Sequence, residues 1–243
     1  EPSLGAELEM ALIDRDANPL PLNLEVLAET VDPRMTFELD RFNLECNLRH
    51  TTLRGRPFEA MRAELEGARA ELDRAAALHG GRVVMIGILP TVRERDLTRR
   101  ALTPSARYRA LARALRGARS GPFVLDIAGE EPLRLACEEV TFEGAATSLQ
   151  IHLRVDPARF AALFNAVQLA TAPALAVAAN SPMFLGHRLW EETRVALFKQ
   201  AVDDRTPAAR QANRQARVHF GLAWLERGAI ELFEWAISEY PCL

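Results

Sequence analysis

Residues 4–14, LGAELEMALID, place Glu7 and Glu9 two positions apart among apolar residues. In a strand, side chains alternate between faces, so Leu8, Met10 and Leu12 share one face. Glu7 and Glu9 share the other, followed by Ala11 and Ile13. Carboxylates about 7 Å apart on one face repel unless a positive charge lies between them. Two readings stand: a solvated outer face, or half of a cation site. A second acidic pair, Glu38 and Glu45, lies in MTFELDRFNLECNL (35–48). An unbroken strand would put residues seven apart on opposite faces. A turn at Asp40–Arg41, or a bulge, would bring them to one side. Glu45 lies among Phe42, Leu44 and Leu48, where a carboxylate needs a positive partner. A third strand candidate, TSLQIHLRV (147–155), puts Leu149, Ile151, Leu153 and Val155 on a dry face. Its other face carries Ser148, Gln150, His152 and Arg154. Glutamate oxygens with one imidazole suit Mg²⁺ or Mn²⁺ better than structural zinc, and the set could serve two or three ions.

The elements that must position these groups follow from turn and capping signals. Short helices are expected at 23–31 and 189–202. A long one opens at Pro57 and stops at Gly80–Gly81. TPSARYRALARALRG is a further helix, capped by Thr103 or Ser105, and DPARFAALFNAVQLAT another, with Asp156 as cap. RVVMIGILP (82–90), PFVLDIAG and LRLACEEVTFEG read as strands, and HFGLAWLE as a strand candidate. Residues 203–216 read as a polar loop and AIELFEWAISE as a closing helix. Strands and helices mix without a βαβ rhythm, and neither GxGxxG nor GxxxxGK[ST] occurs. The fold class expected is α+β with a largely antiparallel sheet.

Bulk properties exclude several classes. The 243 residues carry a net charge of −3, too small to imply nucleic acid or an acidic membrane surface as partner. Lys199 is the single lysine among 30 basic residues. Cys46, Cys137 and Cys242 form no CxxC pattern, so no disulfide framework is expected, and a cytoplasmic location fits. The apolar stretch ATAPALAVAAN is read as broken by Pro173 and too short to span a bilayer. No nucleophile elbow or Cys/His pair is recognisable.

The segments GAELEMALID, FELDRFNLECN, TSLQIHLRVDP and ALAVAANSPMFLG followed by WEETR, in this order, resemble the type 2 glutamate–cysteine ligases. This family also holds bacterial ATP-dependent carboxylate–amine ligases, within the glutamine synthetase-like superfamily. The resemblance implies a curved antiparallel sheet forming a catalytic funnel, with helices outside. It implies that Glu9, Glu38 and Glu45 hold one Mg²⁺ (or Mn²⁺), and that Glu7 and His152 help hold another at the phosphates of ATP. Gln150 would line the same face. Asn180 and Arg194 would lie near the substrates, with Glu45 and Arg194 as catalytic residues. The activity implied joins glutamate or another amino acid to an amine such as cysteine, the chemistry of glutathione biosynthesis, through an acyl phosphate. The alternative is a non-catalytic nucleotide- or amino-acid-binding relative that keeps the fold. Relatives in this family are longer, so residues 1–243 are expected to be a single ligase-type domain lacking the distal half. Partners would be ATP and small amino acids, with neither nucleic acid nor membrane, and a homo-oligomer is left open.

Overall fold

The computed structural model describes residues 1–118 and 121–240; Cys242 falls outside them. In chain order the elements are β1 (Ser3–Ile13), α1 (Asn23–Ala28), β2 (Met35–Phe37), β3 (Asn43–Asn47), β4 (Thr51–Thr52), α2 (Pro57–Ala77), β5 (Arg82–Val84) and α3 (Ala106–Gly117). There follow β6 (Phe123–Ile127), β7 (Leu133–Cys137), α4 (Thr141–Gly144), β8 (Leu149–Arg154), α5 (Phe160–Ala178), β9 (Met183–Phe184), β10 (His187–Arg188), α6 (Thr193–Ala201), α7 (Pro207–Gln211) and α8 (Ile230–Glu239). The class is α+β. β1 is the hub of an open antiparallel sheet: β3 and β4 pair along one edge and β8 and β5 along the other.

The alternation of β1 is realised on both faces. Leu8, Met10 and Leu12 are buried against Ala68, Leu72, Ala75 and Ala76 of α2. Each large side chain removed from water there contributes about 1.5–3 kcal/mol. Pro57 occupies the first turn of α2, where its missing N–H costs nothing. The helix ends where Gly80 takes a left-handed backbone (φ +74°) and the Gly81 N–H bonds back to the Ala76 carbonyl. A second core, around Phe42, Ile88, Leu97, Phe184 and Leu197, holds the 38–45 turn from its other side.

Several expectations are corrected. The strand read at 82–90 ends at Val84. Beyond it, Thr147 takes the backbone partners: its N–H bonds to the Gly87 carbonyl and its hydroxyl to the Ile86 carbonyl. In LRLACEEVTFEG only Leu133–Cys137 is extended, and Thr141–Gly144 is helical. Neither expected side-chain cap serves α3. The Thr103 hydroxyl instead donates to the Glu38 carbonyl (2.6 Å), joining the start of α3 to the acidic turn. HFGLAWLE forms no strand; the Gly221 N–H turns back onto His219 Nδ1. Residues 203–216 contain α7, and the buried Asp203 is paired with Arg205 and Arg210.

Two corrections concern apolar surface. The expected dry face of β8 is wet: Leu149, Ile151 and Leu153 are 45%, 51% and 39% exposed. Alternation gives these residues a common face but supplies nothing to cover them. Nor does Pro173 end the apolar stretch. α5 runs through it to Ala178, and the helical run Pro157–Ala178 is by length and composition apolar enough to cross a membrane. At Pro173 the helix loses one hydrogen bond without stopping.

Candidate metal and nucleotide site

The acidic groups converge because two paired strands, and the turn that follows a third, deliver them to one face. Glu9 on β1 lies directly opposite Glu45 on β3, and Glu45 opposite Thr36 on β2. The turn at Asp40–Arg41 reverses the chain, so Glu38, two residues past Thr36, returns to the Glu45 face. One carboxylate oxygen from each of Glu9, Glu38 and Glu45 lies within 4.8 Å of the other two. On the other side of β1, Glu7 pairs with Gln150 and Gly5 with His152. Glu7 Oε1 lies 3.7 Å from His152 Nε2.

Neighbouring donors fix each carboxylate. Glu9 accepts from the Ser148 N–H (2.6 Å) and hydroxyl (3.2 Å). Glu45 accepts from Asn47 Nδ2 at 2.7 Å. Glu38 accepts from the Leu39 N–H (3.0 Å) and the Tyr108 hydroxyl (3.4 Å). The electrostatics show a crowded acid cluster. Burial and then the Glu38 charge push Glu9 up to about 7, against the Ser148 hydrogen bonds. Burial and the Glu45 charge raise Glu38. Carboxylates held this close and partly desolvated retain protons unless a cation compensates them.

All four glutamates and Gln150 line a cavity of about 770 Å³, within the size range of small-molecule sites. Arg194 lines it too, held by Glu192 and by the Thr147 carbonyl at 2.9 Å. Asn180 is exposed and sits beside Gly87, its backbone N–H donating to Glu192; it is not among the cavity-lining residues. Cys46 is buried on the opposite face of β3, where burial raises its thiol to about 11. A larger cavity, about 840 Å³, is lined by Arg41, Arg95, Arg99 and Arg100 with Glu94 and Asp96.

Several lining residues lie outside the site expected from the sequence: Glu143, Glu192, Arg107, Lys199 and His219. Glu143 is pushed up to about 7 by burial and by the charges of Glu9 and Glu38. Behind the cluster, Asp40 is fully buried and its two oxygens have no hydrogen-bond partner among the described residues. Burial, Glu143 and Glu38 hold it well above the usual carboxylate range. Gly144 makes room for it: a Cβ there would fall 2.8 Å from Asp40 Cγ. Gly144→Ala is therefore expected to destabilise the fold by about 1–3 kcal/mol, read as a lowered midpoint in thermal unfolding.

The donor set fits a hard divalent cation. Three oxygen ligands converge, further oxygen and nitrogen groups stand one strand away, and no thiol is within the set. An open antiparallel sheet in an α+β fold, with carboxylates from two strands and an adjoining turn gathered at a cavity of about 770 Å³, is a carboxylate-rich candidate site. A family model described as glutamate-cysteine ligase family 2 matches residues 3–220. The chain belongs to that family of ligase-type enzymes. No curated protein matches it.

Proposed function

We propose that this chain is an ATP-dependent carboxylate–amine ligase of the glutamate–cysteine ligase type. The convergence of Glu9, Glu38 and Glu45 on one point, from positions up to 36 residues apart in sequence, is the observation that carries this reading. In the proposed site these three hold one divalent ion, while Glu7 and His152 contribute to a second on the far side of β1. When bound, such ions supply positive charge against the oxygens of a transferring phosphoryl group.

The chain's own groups act by position. Ser148, Asn47 and Tyr108 hold the three carboxylates in their rotamers, so little reorganisation is needed when a ligand arrives. Gln150 and Arg194 face the space where substrates would lie. Arg194 is oriented by Glu192 and is suited to an anionic oxygen. In the reaction, the substrate carboxylate attacks the γ-phosphorus of ATP and ADP leaves. The amine then attacks the acyl carbon of the acyl phosphate, inorganic phosphate leaves, and the amine loses a proton as the amide forms. No protein nucleophile is consumed.

The test is ADP release with MgATP, glutamate and a panel of amines that includes cysteine. Release that requires both acid and amine is the expected result, and the amine giving it names the acceptor. Nucleotide binding without turnover for any amine overturns the ligase reading in favour of a non-catalytic relative.

A further inference from the structure

The carboxylate cavity also has a cationic wall. Arg107, in the first turn of α3, and Lys199, on α6, both line it. Among the described residues neither forms an ion pair, although the cavity holds the largest gathering of carboxylates described above. Arg194, by contrast, is committed to Glu192 and the Thr147 carbonyl. An exposed guanidinium and a half-buried ammonium thus share a cavity with six glutamates, yet pair with none of them within 4 Å. Arg107 is braced instead over the ring of Tyr108, 5.6 Å from its centroid, while the Tyr108 hydroxyl reaches Glu38. Lys199 is the only lysine of the chain and is half-buried.

From this separation we infer that Arg107 and Lys199 form an oxyanion-binding wall facing the acid cluster. Its ligand would span the cavity, with anionic oxygens against the wall and its metal-binding side against the glutamates. A ligand carrying both is a polyphosphate or a carboxylate. Arg107 offers a planar fork that matches such oxygens two at a time, and Lys199 a compact point charge. The inference rests on the ligase reading only for the identity of the two candidate ligands.

The experiment is equilibrium binding by calorimetry, in Mg²⁺ buffer, of a non-hydrolysable ATP analogue and separately of glutamate. The proteins are the unmodified chain, Arg107→Ala, Arg107→Lys and Lys199→Ala, with thermal midpoints confirming that each folds. Loss of one charge-assisted contact is expected to weaken binding about 10-fold to 100-fold, with Arg107→Lys retaining part of the affinity. Loss in the nucleotide arm identifies the oxyanion as phosphate; loss confined to the glutamate arm identifies it as carboxylate. A second readout uses the single lysine: ligand should slow acylation of Lys199 by an amine-reactive ester several-fold, followed by mass spectrometry. Unchanged affinity in both arms with Lys199 unprotected, while the unmodified chain binds, overturns the wall. Failure of the unmodified chain to bind either ligand overturns the ligase reading, and the wall with it.

Discussion

Glu45→Gln is expected to remove substrate-dependent ADP release, by at least a hundredfold, while leaving the fold intact. The substitution is nearly isosteric. It keeps an oxygen to accept from Asn47, and it leaves Leu44 and Cys46 buried on the opposite face of β3. What it removes is one of three negative charges within 4.8 Å of each other. Changes to residues that merely orient a metal ligand cost about 10–100-fold, so loss of a ligand's charge should cost more. The contrast is Asn47→Ala, which leaves the charge but frees the carboxylate to rotate. It should reduce turnover within that smaller range. Steady-state ADP release for the two variants, with thermal midpoints alongside, makes the comparison. Unchanged turnover in Glu45→Gln would remove Glu45 from the site.

The second large effect is on stability and reverses with metal. In chelator, Glu9 is protonated in both folded and unfolded chains below pH 4.5. Between 4.5 and about 7 the unfolded chain releases the proton and the folded chain keeps it. Stability therefore falls as pH rises through this window, by about 3 kcal/mol for a shift of this size, and levels off above it. Glu143 is also pushed up to about 7, in part by the Glu9 charge, so their contributions overlap rather than add. The thermal midpoint in chelator should be higher at pH 5 than at pH 8. At pH 8, Mg²⁺ or Mn²⁺ should restore it by binding the folded chain. Glu9→Gln should reduce the pH dependence and remove the metal response. Glu143→Gln should reduce the pH dependence and keep the metal response. A midpoint that rises between pH 5 and 8 in chelator would contradict the crowded cluster.

How much of this was legible in the sequence depends on which interactions are local. Period-two alternation was enough to put Glu7 with Glu9 and Gln150 with His152. A turn at Asp40–Arg41 was enough to put Glu38 with Glu45, because a reversal of known length fixes the facing register. Glu143 and Arg107 enter the cavity only because α4 and α3 fold against strands distant in sequence, which no local spacing encodes. The β8 error has a different origin. Alternation tells which side chains share a face, and packing alone decides whether that face is covered. At Pro173 a sound local rule was overridden, since the loss of one hydrogen bond does not end a 19-residue helix. Thr103 is a subtler case: a good capping residue was present, but its hydroxyl found a better acceptor at Glu38.

β8 gives the site an uneven rigidity. Glu9 and Glu45 sit on strands laddered to neighbours and backed by α2 or the second core, so their backbone opens only when much of the fold does. Gln150 and His152 belong to a strand that, among the described residues, is laddered to β1 alone, and every residue of it is exposed. Such a segment belongs to the low-stability end of the molecule, where brief local opening precedes global unfolding. Its amides should exchange with deuterium well before those of β3. Each opening would take away the imidazole and Gln150, leaving the three-glutamate cluster in place. The two proposed cation positions thus differ in persistence: one is built into the framework, and the other forms only while its outer strand stays closed.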